Sequence, residues 1–400
     1  MERTVQGIRV RKLFGRFDYT ILFSEEGMTI VTGPNGFGKS TILHVISALA
    51  GGNMDYFFDL KFDEIEILGT GQNDNLVVRK DGDYLFIGAV TFNNQDFMSW
   101  KRYGLRRAAE EPSDEYVELM EDITSVIFML KQMTGEVFWI EEQRLVRSVL
   151  RRRVNRTDGK KVFERKIIQA VEEISEKLEA EIGSVAYEYS QISSELDSTF
   201  PQRLFEQTEG LTKEEFDRAL SSLREKVMKL QKYGVSGFAK LEEIQFKEAD
   251  ARALKVYFED FQKKYEKYDE LIDQLELFTD IVNRRFRFKH ISVSMQEGIC
   301  IHDDEGDEIP LLRLSSGEKE TLVLFYQLIF EVPGNSLLLV DEPEISLHIA
   351  WQRMFAEDMQ TIVRRKGIKA VIATHSVQIV NGNRAIQRDL GKQYAEGLHK

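Results

Sequence analysis

The sequence predicts an α/β fold with a long helical insertion, and three observations lead to this prediction. A short β-branched and apolar run, Met28 to Thr32, is followed by a glycine-rich turn and by a helical pattern that opens at Thr41. A second apolar run, Ser336 to Val340, has the length and composition of a buried parallel strand. Between them, residues from about 160 to 285 have the pattern of long, charged helices.

Short alternating runs flank the first strand on both sides, in residues 5–24 and 58–100. Asp63 to Leu68 and Tyr84 to Ile87 are two of them, and glycine-containing turns separate the two. Alternation of this kind predicts an antiparallel sheet beside the α/β core.

The turn after the first strand fits the pattern G-x-x-x-x-G-K-[ST]. It consists of Gly33, Pro34, Asn35, Gly36, Phe37, Gly38, Lys39, Ser40 and Thr41. Glycines let backbone N–H groups turn inward around a phosphate, and the N-terminus of the following helix adds partial positive charge. We expect Lys39 to reach the β- and γ-phosphates of ATP and the Ser40 hydroxyl to bind Mg²⁺. For this motif alone, a glycine-rich turn with a chance Lys-Ser is the alternative.

Polar residues follow two later apolar strands. The strand from Ser336 to Val340 ends in Asp341 and Glu342, and the strand from Ala370 to Ala373 leads to His375. Asp341 is the expected partner of Mg²⁺, and Glu342 is placed to act as general base on the attacking water. We expect His375 to bind the γ-phosphate or that water.

Together these motifs resemble those of ABC-type ATPases, in the branch of SMC, RecF and OLD proteins rather than transporters. The signature at 314–320 is L-S-S-G-E-K-E, where transporter subunits usually carry L-S-G-G-Q. The stretch at 341–348 is D-E-P-E-I-S-L-H, and that at 373–380 is A-T-H-S-V-Q-I-V, with Val377 in place of the usual proline. The resemblance implies an ABC-type P-loop ATPase head.

The resemblance also implies a mechanism in which the signature of one protomer caps ATP held by the other. Ser315 and the backbone at Gly317 would then touch the γ-phosphate in trans, so hydrolysis requires a homodimer or a higher homo-oligomer. A glutamine normally senses Mg²⁺ in this family, and Gln143 is the candidate, with an ordinary surface glutamine as the alternative. Ser346 and His348 fall where the family places its inter-subunit loop.

The helical middle separates this chain from transporters, because about 170 residues lie between Gln143 and Leu314. Apolar residues recur at three- and four-residue steps from Leu254 to Phe278, and Thr212 to Glu215 fits a capping box. A helix over 245–283 would span only about 58 Å, so a compact, short coiled-coil-like arm is expected. The predicted segments are 1–150 and 286–400 for the two halves of the head and 151–285 for the insertion. A hairpin of Ile291–Val293 and Ile299–His302, with residues 303–306 in its turn, is expected before the signature.

The charge distribution bears on partners. The net charge of −13 argues against indiscriminate binding of nucleic acid. The stretch Arg144–Lys166, however, contains ten basic residues and two acidic ones. It could bind a phosphate backbone or an acidic partner, and a solvated helix face paired with acidic neighbours is the alternative.

Composition favours a cytoplasmic protein without a membrane anchor. Cys300 is the single cysteine, and neither a signal peptide nor a membrane-length apolar run is evident in the sequence. Thr321 to Phe330 is strongly apolar but short, so we expect a buried helix. Only about 25 residues follow His375, so we expect no TOPRIM nuclease domain of the kind that OLD proteins carry.

These features favour a bacterial stand-alone ATPase that controls a separate effector protein, encoded nearby. The motifs resemble the ATPase components of the anti-phage systems Septu and PARIS. The alternative is a RecF-like or SMC-like repair or recombination ATPase that binds DNA. A scaffold with a dead ATP site is disfavoured, because Lys39, Asp341 and Glu342 are all present.

Overall fold

A computed structural model describes residues 5–71, 74–95, 97, 114–140, 146–154, 161–234, 245–294 and 297–397. The strands are β1 (Gly7–Leu13), β2 (Phe17–Leu22), β3 (Met28–Thr32), β4 (Glu64–Leu68), β5 (Leu76–Asp81), β6 (Tyr84–Ile87), β7 (Val90–Asn93), β8 (Val137–Ile140), β9 (Val146–Val154), β10 (Lys161–Gln169), β11 (Lys289–Ser294), β12 (Gly298–Asp303), β13 (Leu337–Asp341), β14 (Lys369–Ala373) and β15 (Gln387–Asp389). The helices are α1 (Lys39–Gly51), α2 (Asp55–Asp59), α3 (Asp114–Thr134), α4 (Ala170–Glu206), α5 (Lys213–Lys232), α6 (Ala251–Asn283), α7 (Ser316–Tyr326), α8 (Ile349–Lys366), α9 (Val377–Val380) and α10 (Leu390–Gly397).

The chain forms two compact units. One comprises residues 1–143 and 331–400, and the other comprises residues 144–330. The first unit holds two sheets, and its α/β character confirms the predicted fold class. The finer division into segments 1–150, 151–285 and 286–400 stays a prediction.

A parallel sheet with the order β15-β3-β14-β13-β8 forms the centre of the first unit. Every residue of β3 and β13 is buried, which explains why both strands are continuous apolar runs without alternation. In the pairing register, Asp341 lies beside Ala373, and Ala373 lies beside Val31. The loops that follow β3, β13 and β14 therefore leave the sheet at the same edge.

The second sheet of this unit is antiparallel, with the order β2-β1-β4-β5-β6-β7, as the alternating runs predicted. Along β2, buried and exposed residues alternate strictly, because one face of the sheet packs on the core and the other is open to water. The buried face joins α1, α3 and the parallel sheet in one continuous apolar core. Residues of β3 and α1 belong to this core, so both ends of the loop between them are held by packing.

Long helices dominate the second unit. The helix α4 has 37 residues and packs along α6, which has 33 residues and spans about 50 Å. The stripe predicted from Leu254 to Phe278 is confirmed, since its members are buried except Leu254, which is half-buried. The capping box at Thr212 is confirmed as well, and it begins α5.

Two sequence-based expectations about the second unit were wrong. Residues 161–169 form the strand β10, paired with β9, rather than helix; the β-branched residues Val162, Ile167 and Ile168 favour this strand. The acidic turn at 303–306 follows β12, whereas β11 and β12 are joined through residues 295–297. The buried helix predicted for Thr321 to Phe330 is confirmed, and its last turn, Gln327–Glu331, is π-helical.

Within the described ranges, no helix combines the length and the apolar character that crossing a membrane requires.

Candidate active site

The glycine-rich loop lies between β3 and α1, in the first unit. Gly36 and Gly38 have φ values of 79° and 87°, in the left-handed region that favours glycine. A Cβ atom on Gly38 would lie 2.8 Å from the buried Leu13 side chain, so a larger residue would require that side chain to shift. Helix α1 begins at Lys39, and its first N–H groups have no partner within the helix. The loop therefore offers the backbone donors that a phosphate requires.

Lys39 is buried at the base of the loop, with 5% of its surface exposed. Its Nζ donates a hydrogen bond to the Gly33 carbonyl at 3.1 Å and lies 2.5 Å from Nε2 of His375. Burial lowers the pKa of Lys39, and the negative charges of Glu342 and Asp341 oppose this effect. If Lys39 is protonated, Nε2 of His375 must be the unprotonated ring nitrogen that accepts the bond.

Ser40 and Asp341 form the oxygen pair expected for Mg²⁺. The Ser40 hydroxyl donates a hydrogen bond to Oδ1 of Asp341 at 3.1 Å. Among the described residues, no group of three or more His, Cys, Asp or Glu side chains is arranged to hold a metal. A hydroxyl and a carboxylate still fit Mg²⁺, which keeps several waters and takes further oxygens from nucleotide phosphates. When bound, the ion would neutralise charge on the β- and γ-phosphate oxygens.

Glu342 and His375 lie side by side. The Glu342 carboxylate is 3.6 Å from Nε2 of His375, and both side chains are about one-third exposed, at 29% and 35%. Glu342 has a φ of 44°, a strained conformation for a residue with a side chain, and its N–H donates to the Ala373 carbonyl at 2.9 Å. Such strain persists where the surroundings hold it, often at functional sites.

These geometries agree with the comparison to known protein families. Residues 12–380 match the family model of the AAA ATPase domain. The chain belongs to this family. Hydrolysis of ATP is the general reaction that membership of the AAA ATPase domain family indicates. A search of curated proteins found no match.

Among solved structures, this AAA ATPase is similar to heads of SMC proteins. The Smc head domain of Pyrococcus furiosus with an extended coiled coil, bound to the C-terminal domain of ScpA, has 14% identity and a TM-score of 0.40, covering 95% of this chain and 91% of that one. The SMC head domain of Thermotoga maritima has 12% identity and a TM-score of 0.33, covering 94% and 91%. The Smc head domain of Pyrococcus yayanosii with a coiled coil and joint has 14% identity and a TM-score of 0.35, covering 95% and 94%.

The loop of this AAA ATPase is anchored by aromatic residues that sequence reasoning missed. The Phe37 ring lies 5.1 Å from that of Phe17 and 5.7 Å from that of Tyr394. Phe14, which is 36% exposed, lies beside Gly38. A phenylalanine between two loop glycines, where the bound phosphate needs none, could have indicated this anchor.

The signature lies in the second unit, at the start of α7. Ser315 is the N-cap residue: its N–H and hydroxyl both donate to Oε2 of Glu318 at 2.8 Å, and its hydroxyl accepts from the Glu318 N–H at 3.4 Å. The pattern S-x-x-E of a capping box is visible in the sequence but was missed there. Gly317 lies in the first turn, where an added Cβ would meet no atom within 4 Å.

Lys289 of β11 supports this capping box. Its Nζ lies 2.9 and 3.0 Å from the two carboxylate oxygens of Glu318. Burial alone would raise the pKa of Glu318, but hydrogen bonds from Lys289 and Ser315 outweigh burial and hold the pKa below its usual value. Glu318 therefore stays charged and keeps Ser315 in place.

The structure brings five of the predicted side chains together, and the predicted glycines lie in the loop beside them. Lys39, Ser40, Asp341, Glu342 and His375 meet at one edge of the parallel sheet. Pro34 and Asn35 are exposed on the loop, and Thr41 is half-buried in the first turn of α1. Gln143 lies outside the described residues, as does the side chain of Ser346. His348 is the N-cap of α8, where its Nδ1 accepts from the Ala350 N–H at 3.3 Å.

Proposed function

We propose that this protein hydrolyses ATP with the five side chains that meet at the carboxyl edge of the parallel sheet. Their convergence is the observation that carries the proposal, because they come from three loops, and Ser40 and Asp341 are 301 residues apart in the sequence. Lys39 binds the β- and γ-phosphates, and Ser40 with Asp341 holds Mg²⁺. The phosphates replace the Gly33 carbonyl and His375 as partners of Lys39.

Glu342 and His375 act on the attacking water. Their atoms lie 3.6 Å apart, close enough for both side chains to reach one water molecule beside them. Glu342 takes a proton from this water as the water oxygen bonds to the γ-phosphorus. The bond between that phosphorus and the bridging oxygen breaks, and ADP leaves with the electron pair.

Replacing the base tests this assignment. Glu342→Gln keeps the size of the side chain but cannot accept the proton, so we expect turnover to fall about 10²- to 10⁴-fold while ATP still binds. Phosphate release measures turnover, and calorimetry measures binding. Glu357→Gln, on the exposed face of α8, is the matched control and should be silent. Unchanged turnover in Glu342→Gln would remove Glu342 from this role.

We further propose that hydrolysis requires a second copy of the chain, with Ser315 and Gly317 capping the partner's nucleotide. Two features support this. Ser315 is exposed at a helix N-terminus, which attracts anions. Exposed apolar side chains also flank the carboxylate and histidine segments of the site in the first unit: Ile345, Ile349 and Val377. An apolar rim of this kind suits contact with another protein surface.

The ATPase would use this nucleotide-dependent association to sense a trigger and control a separate effector in anti-phage defence. Support for this part is the resemblance of the motifs to those of Septu and PARIS. The test is a pull-down of Glu342→Gln from the native host, with and without nuclease. We expect a protein partner that survives nuclease; nucleic acid alone would contradict effector control.

A DNA-directed role is the second candidate, and the hairpin of β9 and β10 favours it. Two-stranded antiparallel ribbons fit the major groove of DNA. Arg151, Arg152 and Arg153 are consecutive in β9, so both faces of the ribbon carry basic positions. This candidate predicts DNA-stimulated hydrolysis that is lost when the three arginines become glutamate. A rate of hydrolysis that DNA does not change would exclude the DNA-directed role.

A further inference from the structure

We propose that Glu344 is a positioning residue that holds His375 in its place for hydrolysis. The inference rests on the ATPase function proposed above. Sequence reasoning assigned Glu344 no role, although it is the second carboxylate after the strand β13. Its two oxygens hold three consecutive residues of the loop that follows β14.

The contacts of Glu344 are made to the backbone around His375. Oε1 accepts the N–H of His375 at 2.5 Å and that of Ser376 at 3.0 Å. Oε2 accepts the hydroxyl of Thr374 at 2.8 Å, and Thr374 is fully buried. A charged acceptor makes each of these bonds stronger than a neutral one would. Glu344 therefore holds the loop that carries His375 at three consecutive residues.

Glu344 is itself fixed relative to Glu342. Both belong to a short turn in which the N–H of Ile345 donates to the Glu342 carbonyl at 3.2 Å, and Pro343 restricts the backbone between them. One turn thus carries the general base at its start and the anchor of His375 two residues later. We infer that this turn, rather than a direct contact, sets the separation of 3.6 Å between the two side chains.

A second bridge joins the same two segments and supports this interpretation. The Ser376 hydroxyl donates to Oε1 of Gln352 at 2.6 Å. The Gln352 amide donates to the carbonyls of Leu347 at 3.0 Å and Glu344 at 3.3 Å. This bridge keeps the loop attached when Glu344 is changed, so a substitution at Glu344 should shift His375 without unfolding the loop.

Glu344 is not a second base in this arrangement. Its oxygens already accept three donors, all from residues 374–376. Its contribution to hydrolysis therefore passes through His375, and this dependence separates a positioning role from a general structural one.

The test is a double-mutant cycle with Glu344→Ala and His375→Ala, read as the single-turnover rate and as ATP affinity. We expect Glu344→Ala to slow hydrolysis about 100-fold, the loss that a displacement of about 1 Å can cause, with ATP affinity unchanged. In the His375→Ala background the same change should have little further effect, because the group it positions is gone. Glu344→Gln keeps one acceptor oxygen and should be slowed less.

The controls separate the possible failures. Glu357→Gln should match the wild type, and Glu342→Gln reports on the proposed chemistry itself. If Glu342→Gln is slow but Glu344→Ala is not, or if the effects of Glu344→Ala and His375→Ala multiply fully, the positioning role is overturned and the ATPase function stands. If the wild-type protein does not hydrolyse ATP, both are overturned. If Glu344→Ala does not fold, the same cycle with Glu344→Gln tests the positioning role.

Discussion

Lys39 is almost completely buried, and the energetic consequence is a lowered pKa. Removal from water disfavours its charged form, and the carboxylates of Glu342 and Asp341 only partly offset this. The folded protein therefore binds this proton less tightly than the unfolded chain does. For Lys39 alone, the free energy of unfolding rises as the pH increases through the lowered pKa towards the ordinary lysine value of 10.5.

Nucleotide binding should raise the pKa of Lys39 again. Phosphates next to Lys39 stabilise its charged form and raise its pKa, so binding takes up a proton where the free lysine is partly neutral. We expect the number of protons taken up to increase as the pH approaches 10.5. Calorimetric titration with ATP in buffers of different ionisation enthalpy measures it.

Lys369 provides the matched control for proton uptake. Burial lowers its pKa as well, but its Nζ donates to the Val5 carbonyl at 2.7 Å, and it lies at the opposite end of β14 from the loop of His375. Lys369→Met should leave the uptake unchanged. An ATP-binding enthalpy that does not depend on the buffer would contradict the prediction for Lys39.

At the scale of elements, two helices begin with nearly identical capping boxes. At α7, the N–H and hydroxyl of Ser315 donate to Glu318 at 2.8 Å each. At α5, the N–H and hydroxyl of Thr212 donate to Glu215 at 2.8 and 3.0 Å. The two caps do the same local work for their helices, yet only the first belongs to the signature. Their comparison can separate helix stability from function.

We predict that Ser315→Ala and Thr212→Ala each lower the free energy of unfolding by about 1 kcal/mol, the usual cost of losing an N-cap. Only Ser315→Ala should also slow ATP hydrolysis, and Ser315→Arg should abolish it while ATP still binds. Urea unfolding and phosphate release measure the two effects. Equal hydrolysis by the two alanine variants would contradict a role for Ser315 in hydrolysis.

The sequence predicted some helices and strands correctly and others wrongly. The strand β3 and the stripe of α6 were predicted because burial on both faces and the helical period leave strong patterns. The hairpin of β9 and β10 was mistaken for helix from residue 161 onward, since charges interrupt its alternation. The capping box at Thr212 was found from a local pattern, and the same pattern at Ser315 was overlooked beside the signature.

In the proposed dimer of the whole molecule, each ATP site needs residues from both chains, and this can be tested by mixing two inactive variants. Lys39→Met removes the phosphate ligand, and Ser315→Arg blocks the cap for the partner. Each variant alone should be inactive, but a mixed dimer contains one intact site, with Lys39 from one chain and Ser315 from the other. We expect mixing the two variants to restore ATP hydrolysis, measured as phosphate release against protein concentration.

The mixture has its own control. A protein that carries both substitutions, mixed with Lys39→Met, cannot assemble an intact site and should stay inactive. Activity restored by this control, or none restored by the first mixture, would show that hydrolysis does not use Ser315 in trans.

The motifs and the α/β class could be predicted from the sequence alone. These follow from local rules: strand and helix periods, glycine at tight turns and polar residues at strand ends. The candidate residues Lys39, Ser40, Asp341, Glu342 and His375 were all found in this way. Gln143 lies outside the described residues and stays a prediction.

Which groups are in contact, by contrast, depends on the tertiary structure. The register of β13 with β14 and of β14 with β3 brings loops that are more than 300 residues apart to one edge, as the contact of Ser40 with Asp341 shows. The bond from Glu344 to the backbone of His375 depends on that register and leaves no trace in local sequence. Burial of Lys39, which sets the direction of its pKa shift, also arises only when the sheets pack, because burial depends on all the surrounding elements together.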